Sequence, residues 1–528
     1  MTKKSTRRII ATADCETDPF EHGLIPRPFV WGFYSPDEGY RNFWSEENCC
    51  EQFLAFLDSL DEPHYIYMHN GGRFDFFFLL YAMGGKMRIV NGRILEATIG
   101  RHILRDSFAA FPMALSKYKK DDIDYNKLHV DARNDNRDEI LHYLEGDVTY
   151  LYQIVSTFQQ EFGNVLTIGS AALTELKKFH EFDETNEAFD TTIRRFYSGG
   201  RNQCFDVGII KRPLKVYDAN SMYPYVMQKF EHPISGSFTV TTEVSERTAF
   251  VIVEGINRGA LPCRTKTGGL DFTASAGIFH TTIHELQAGI ETGTFYLLKV
   301  IEAYDFEEWT TFDKFVEHFY SQRMQARLNK ELLFELFYKL VLNSAYGKFC
   351  TNPDNFMEYT IGEPDEIMPE PWEPATVCGE YIIWQKPSTQ RKYYNVATGA
   401  SITGASRAVL LRGLSNAVRP IYCDTDSIVC DSLNGDLDNN RLGAWKLDGE
   451  GDMMAIAGKK LYALYNGTEC VKKASKGVKL SGEQIVQVAK GDIVAHINPV
   501  PAFKLSGDHQ FVDRTIRATL IKPKAFGV

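Results

Sequence analysis

Four acids near the start of the chain are spaced as a divalent-metal site would require. Asp14-Cys15-Glu16 closes an apolar run, and strand alternation turns both carboxylates to one face. His69-Asn70-Gly71-Gly72-Arg73-Phe74-Asp75 reads as a strand-to-helix turn ending on a third acid. Tyr143-Leu144-Glu145-Gly146-Asp147 puts a phenol and a fourth acid four residues apart on one helix face. Each acid alone is more often a helix cap or a solvated turn than a site. Together, from three separate segments, they would repel one another unless cations lay among them. Two divalent ions held there would activate a water and stabilise the leaving oxygen of a phosphodiester, with Tyr143 orienting the water.

A second set lies further along. Asp218 ends a strand and is followed by Ala219-Asn220-Ser221-Met222-Tyr223-Pro224. Tyr422-Cys423-Asp424-Thr425-Asp426-Ser427 reads as a hairpin tip. Carboxylates at the ends of neighbouring strands can share a pair of Mg²⁺ ions. Between these segments, Lys339, Asn343 and Tyr346 fall on one face of a predicted helix. That face offers a cation for phosphates, an amide, and a ring to stack on a base. A single helical lysine is ordinarily just solvated; in this company Lys339 reads as a phosphate ligand.

The elements that must position these residues follow from periodicity. Strands are expected over 8–14, 27–34 and 64–68, and helices over 47–60, 74–82 and 138–162, an alternation that makes a mixed α/β domain of 1–165. Beyond it, 213–218 reads as a strand, 311–346 as one long helical stretch, and 418–430 as strand–turn–strand. Segment 361–380 holds six acids, no base and four prolines. It reads as a loop or hairpin insertion whose charges form a solvated face. The Gly/Thr-rich stretch 255–277 also reads as inserted, and no internal repeat is visible.

Composition sets the outer limits. A chain of 528 residues with 44% hydrophobic and 24% charged residues is a globular protein of several domains, which excludes global disorder and a fibrous protein. The longest apolar run, which starts at Phe76, falls far short of the roughly 20 residues of a membrane span. No secretory signal is visible, so a cytoplasmic protein with no membrane partner is expected. Ten cysteines without a Cys-x-x-Cys pair argue for reduced thiols rather than a disulfide framework or zinc ribbon. The net charge of -11 argues against a protein that coats nucleic acid. Residues 459–528, however, carry twelve Lys/Arg against five Asp/Glu, so a locally basic surface is expected there.

The first four acids, in this order, resemble the DEDD exonuclease superfamily on an RNase H-like fold. Asp218–Pro224, Lys339–Gly347 and Tyr422–Ser427 resemble motifs A, B and C of family B DNA polymerases. Tyr197-Ser198-Gly199-Gly200 resembles the Tyr-x-Gly-Gly element that links the two activities at the template strand. Further matches point to the protein-primed branch of small phages, linear plasmids and adenoviruses. Ser107-Phe108 with Phe111-Pro112 resembles its single-strand-binding element, and Lys120–Tyr125 a segment whose lysine, Lys120, assists the exonuclease. Thr403–Arg407 and Lys460-Leu461-Tyr462 resemble elements that hold the template-primer and the primer end. Two features depart from the pattern: the acidic run in the second insertion, and the Gly71-Gly72 pair, which puts Asn70 as a strand-end contact in doubt.

The resemblance implies an α/β and α+β multidomain chain. An RNase H-like 3′–5′ exonuclease domain (1–165) would precede a right-hand polymerase: linker and first palm part (166–232), a terminal-protein-binding insertion (233–305), fingers (306–351), a second insertion (352–395), palm (396–462) and thumb (463–528). It implies DNA-templated synthesis with proofreading, primed by a separate terminal protein, on a linear viral or plasmid genome with strand displacement. Two Mg²⁺ ions would serve each active site, with Mn²⁺ able to substitute. Asp218 and Asp426 would be direct ligands and Asp424 the supporting acid. Lys339, with Arg323 and Arg327, would meet the phosphates; Ser221, Met222, Tyr223, Asn343 and Tyr346 would surround the nucleotide. Tyr197, Gly199, Gly200, Asn70, Ser107, Phe108, Thr403, Arg407, Lys460 and Tyr462 would touch DNA. The partners expected are template-primer DNA, dNTPs and the terminal protein, with the enzyme a monomer. A nucleic-acid-primed family B polymerase and a catalytically inactive DNA-binding scaffold are the alternatives.

Overall fold

The structure is a computed structural model that describes residues 8–119, 121–266, 268–363, 366, 368–378, 380–388, 392–519 and 523–527. The N-terminal part is built on strands Ile9–Thr17, Pro28–Ser35, Gly39–Trp44, His64–Met68, Met83–Val90, Arg93–Ile99 and His102–Asp106. Ile9–Thr17 runs parallel to His64–Met68 and antiparallel to Pro28–Ser35. Helix Cys49–Ser59 covers one face, burying Cys49, Phe53 and Leu57 at a spacing of four, with Phe53 stacked on Trp31 at 4.8 Å. Helix Arg137–Phe162 covers the other. It buries Ile140, Leu144, Val148 and Leu151, and the Thr12 hydroxyl donates to the Val148 carbonyl at 2.7 Å. Each such apolar side chain contributes about 1.5–3 kcal/mol of burial, so the strand carrying Asp14 and Glu16 is clamped against the helix carrying Tyr143 and Asp147.

This sheet has ten strands, because Met357–Gly362, Tyr381–Pro387 and Glu373–Cys378 add to its edge through Met83–Val90. The acidic segment is therefore a hairpin, as its composition suggested, but not one detached from a core. Ile383 is fully buried in the N-terminal hydrophobic cluster, while Glu370 and Glu373 are exposed.

A seven-stranded antiparallel sheet forms the second centre, in the order Glu469–Ser475, Leu461–Asn466, Trp445–Gly458, Gly208–Ala219, Ser427–Cys430, Tyr422–Asp424, Asn202–Cys204. Helix Val396–Asn416 packs beside it, almost wholly buried. Residues 239–305 form a four-stranded sheet with helix Ile283–Glu291, which docks on that long helix. The expected helix over 311–346 is two helices, Asp313–Leu328 and Leu332–Phe349, because Lys330 takes a left-handed φ of 61° and reverses the chain. The expected helix over 74–82 is one turn, Asp75–Phe78, followed by a 3₁₀ turn at Leu80–Ala82.

Candidate active sites

The N-terminal acids line one cavity of about 880 Å³ together with His69, Asn70, Phe74 and Tyr143. Asp14, Glu16 and Asp147 offer carboxylate oxygens all within 4.8 Å of one another. This cluster of hard oxygen donors suits a divalent cation such as Mg²⁺. Asp75 adjoins Asp14: it is buried, accepts from the Cys15 thiol at 3.2 Å, and burial pushes its carboxyl up to about 6. Tyr143 is buried beside Asp147, and its phenol is pushed well above its usual range by burial and then by Asp147.

The turn that delivers Asp75 explains the glycine pair. A Cβ on Gly72 would lie 1.8 Å from the Ile94 carbonyl oxygen, and one on Gly71 would lie 2.7 Å from the Met68 Cβ. Only glycine lets the turn pass under the neighbouring strand. Asn70, at a left-handed φ of 64°, lines the cavity and accepts from Arg93 at 2.9 Å. Ser107 is fully buried, and its hydroxyl bonds to His69 Nδ1 at 3.0 Å and to the Met68 carbonyl, so it positions His69. Phe108 is half-buried over Arg93, and Lys120 lies outside the described residues. The cavity's opposite wall was not foreseen. It comes from Asn498, Val500, Pro501, Ala502 and Phe503.

The second site forms where two strands end side by side. Asp218 pairs with Ser427, and the Ala219 N–H donates to the Asp426 carbonyl at 2.8 Å, so the acids flank one another. Burial and the Asp218 charge push Asp426 up to about 6, a repulsion that a bound cation would relieve. Asp424 is held by Lys460 at 2.5 Å and by the Thr425 hydroxyl at 3.2 Å. A cavity of about 290 Å³ opens from Asp218 and Asp426 to Lys339, Asn343, Arg323 and Arg327, with Ser221, Met222 and Tyr223 along its side. Tyr223 stacks on Tyr346 at 3.9 Å, nearly parallel. Lys339 is half-buried, and burial, then Arg323, Lys117 and Lys446, holds its ammonium below the usual range. Lys446, 3.4 Å from Asp218, and Tyr320 are wall residues that no local motif signalled.

The remaining predicted contacts divide. Lys460 bonds to Asp424 and the half-buried Tyr197 lies by Cys350 and Tyr223, whereas Tyr462 is buried against the Tyr422 ring at 5.1 Å. Gly200 is required because a Cβ there would come 2.7 Å from the Thr425 hydroxyl, while Gly199 faces open space. Thr403 and Arg407 are both buried; Thr403 donates to the Ala400 carbonyl, and Arg407 forms a two-pronged pair with Glu285 at 2.7 and 2.8 Å. The remaining Arg407 nitrogen donates to the carbonyls of Ser198 and Gly199. Each guanidinium nitrogen of Arg407 is engaged inside the protein, so it fastens the 197–200 loop.

Comparison with known proteins agrees with this arrangement. Residues 113–395 match the family described as DNA polymerase type B, organellar and viral. The chain belongs to that family, and is a DNA-directed DNA polymerase. It is 47% identical, over 98% of its own length and 100% of the other, to the DNA-directed DNA polymerase of Enterobacteria phage PRD1. The DNA polymerase of Bacillus phage Nf is 23% identical over 65% of this chain and 64% of that protein. In fold it is similar to Phi29 DNA polymerase, with a TM-score of 0.73 and 18% identity over 97% of this chain and 100% of that one.

Proposed function

We propose that the chain copies a DNA template from its palm site, removes mispaired 3′ ends at its N-terminal site, and starts synthesis on a separate terminal protein in a host cytoplasm. The observation that carries the first part is the palm cavity, with paired carboxylates at one end and arginine, lysine and amide donors at the other. That polarity fits a nucleoside triphosphate: the polyphosphate lies against Lys339, Arg323 and Arg327, and the sugar lies over Tyr223. Asp218 and Asp426 would hold Mg²⁺, which when bound neutralises phosphate charge and favours the ionised primer hydroxyl. The 3′ oxygen attacks the α-phosphorus and pyrophosphate leaves. Asp424, tied to Lys460, supports the turn. Tyr223 sits where a ribose 2′-hydroxyl would clash, and Tyr346 braces it from behind. At the N-terminal site Asp14, Glu16 and Asp147, with Asp75, would hold metal, and Tyr143 would orient a water toward the scissile phosphate.

Protein priming is supported by the branch-specific elements, by the folded insertion 239–305, and by the full-length likeness to a phage enzyme. In this reading a Ser, Thr or Tyr hydroxyl of the terminal protein replaces the primer 3′-hydroxyl. One set of assays tests the whole. Asp426→Ala should lose at least about 10³-fold in dNTP incorporation yet keep degradation of single-stranded DNA, and Asp14→Ala with Glu16→Ala should do the reverse. Normal synthesis by Asp426→Ala would overturn the palm assignment. Incubation with terminal protein and labelled dNTP should label that protein covalently. Absence of label, with primed DNA still extended, would favour nucleic-acid priming.

A further inference from the structure

Arg201 directly follows the Tyr197–Gly200 element and is buried to 1% exposure. It forms no carboxylate ion pair among the described residues; two of its guanidinium nitrogens donate to Gln203 at 3.1 and 2.7 Å. Three phenylalanine rings from three distant parts of the chain surround it: Phe272 at 4.2 Å, Phe205 at 5.6 Å and Phe526 at 5.7 Å. Phe526 meets Phe205 edge-on at 5.5 Å and also packs against the core beside helix Ile283–Glu291. Lys524, Ala525 and Gly527 close the same small space with Arg258 and Gly259.

A buried cation is costly unless its neighbours substitute for water; Cys423 and the Glu285 charge act on Arg201 from within the protein. Aromatic faces also substitute for water around a desolvated guanidinium. The cage matters because of what Arg201 holds. Its carbonyl accepts from the Thr425 N–H at 2.6 Å, and Thr425 sits at a left-handed φ of 57° between Asp424 and Asp426. The strained tip of the catalytic turn therefore hangs on the Arg201 backbone.

We propose that Phe526 is a positioning residue for the polymerase centre: it completes the ring cage that fixes Arg201, and through the Arg201 carbonyl it fixes the turn that presents Asp424 and Asp426. The segment 523–527 thereby ties the end of the thumb region back to the carboxylates, with Thr519 anchored on the way by its N–H to the Ala457 carbonyl at 2.8 Å. This rests on the palm carboxylates being the synthetic site.

The experiment is steady-state dNTP incorporation on a primed template by the full chain carrying Phe526→Ala. A displaced turn should lower kcat about tenfold or more, since small misplacements of reacting groups are costly, while KM for dNTP stays within about twofold. Phe526→Trp, which restores a ring, should recover most of kcat. The melting temperature and the degradation of single-stranded DNA, read at the other site, should stay near wild type. A kcat equal to wild type in Phe526→Ala would overturn the proposal. So would a parallel loss of both activities with a lowered melting temperature, or no recovery by Trp. Failure of the wild-type chain to incorporate dNTP would instead sink the functional reading beneath it.

Discussion

Lys339 shows how far single residues can be read. Its side chain is half-buried among Arg323, Lys117 and Lys446, and it makes no ion pair among the described residues. Glu335 pairs with Arg327 at 3.2 Å and Asp218 with Lys446 at 3.4 Å, so among the described residues Lys339 and Arg323 are the cations lining this cavity that are left for an anion that arrives from outside. Removing one charge-assisted contact costs about 1.5–3 kcal/mol, so Lys339→Ala should raise KM for dNTP by about 10- to 100-fold, with Lys339→Arg recovering part of it. An unchanged KM would detach Lys339 from the triphosphate. The sequence announced this residue, since Lys339, Asn343 and Tyr346 recur at helical spacing. It announced the acids too, because strand ends and turns leave local signatures. It could not announce Lys446, which reaches Asp218 only because the strand Trp445–Gly458 pairs with Gly208–Ala219. Nor could it separate Arg407 on a DNA surface from Arg407 inside, because that depends on Glu285 arriving from another element.

Elements were legible where period and breakers agree, as in strand His64–Met68 and helix Arg137–Phe162. The break at Asn329-Lys330-Glu331 carries no glycine or proline, so only tertiary packing reveals it. Packing between elements also sets a titration. His232 is fully buried on the 312 ring, bonded to the Ser401 hydroxyl at 2.9 Å and to the Val226 carbonyl at 3.0 Å. Its neighbour His284 shares Ser401 from helix Ile283–Glu291, with Glu285 and Arg412 acting on it from either side. Burial lowers His232 to about 3 and His284 to about 4. A base with a depressed folded pKa leaves stability intact above its unfolded value near 6.5 and loses it as pH falls toward the folded value. Between pH 6.5 and 4 each histidine should therefore subtract up to ~1.4 kcal/mol per pH unit. Urea midpoints at pH 7 and pH 5 check this: the drop should be smaller in His232→Asn than in wild type, and equal drops would refute it.

At the scale of the whole molecule, distant segments complete sites that look local. The ten-stranded sheet joins residues 357–387 to the N-terminal domain, and the N-terminal cavity takes its far wall from 498–503. Neither is visible in sequence, because pairings across hundreds of residues leave no period or spacing to detect. The arm that carries this wall is a short hairpin, Ala502–Phe503 with His509–Gln510. Phe503 is wedged among Phe74, Phe77 and Phe78 at 5.5–5.7 Å, and Leu505 packs on the same core. Asp513 accepts from His22 at 2.9 Å beside the Phe511 ring. Phe74 itself lines the cavity next to Asp75, so the arm fixes the apolar side of the slot a frayed 3′ end would enter. Asp14, Glu16 and Asp147 stand on elements that Phe503 does not pack against. Phe503→Ala should therefore raise KM for degradation of single-stranded DNA by about 3- to 10-fold, the loss of one aromatic contact of about 0.5–1.5 kcal/mol. Its kcat and the rate of dNTP incorporation should stay near wild type. A fall in kcat at unchanged KM would mean that the arm shapes the metal site itself, and no change at all would mean that the wall does not touch DNA.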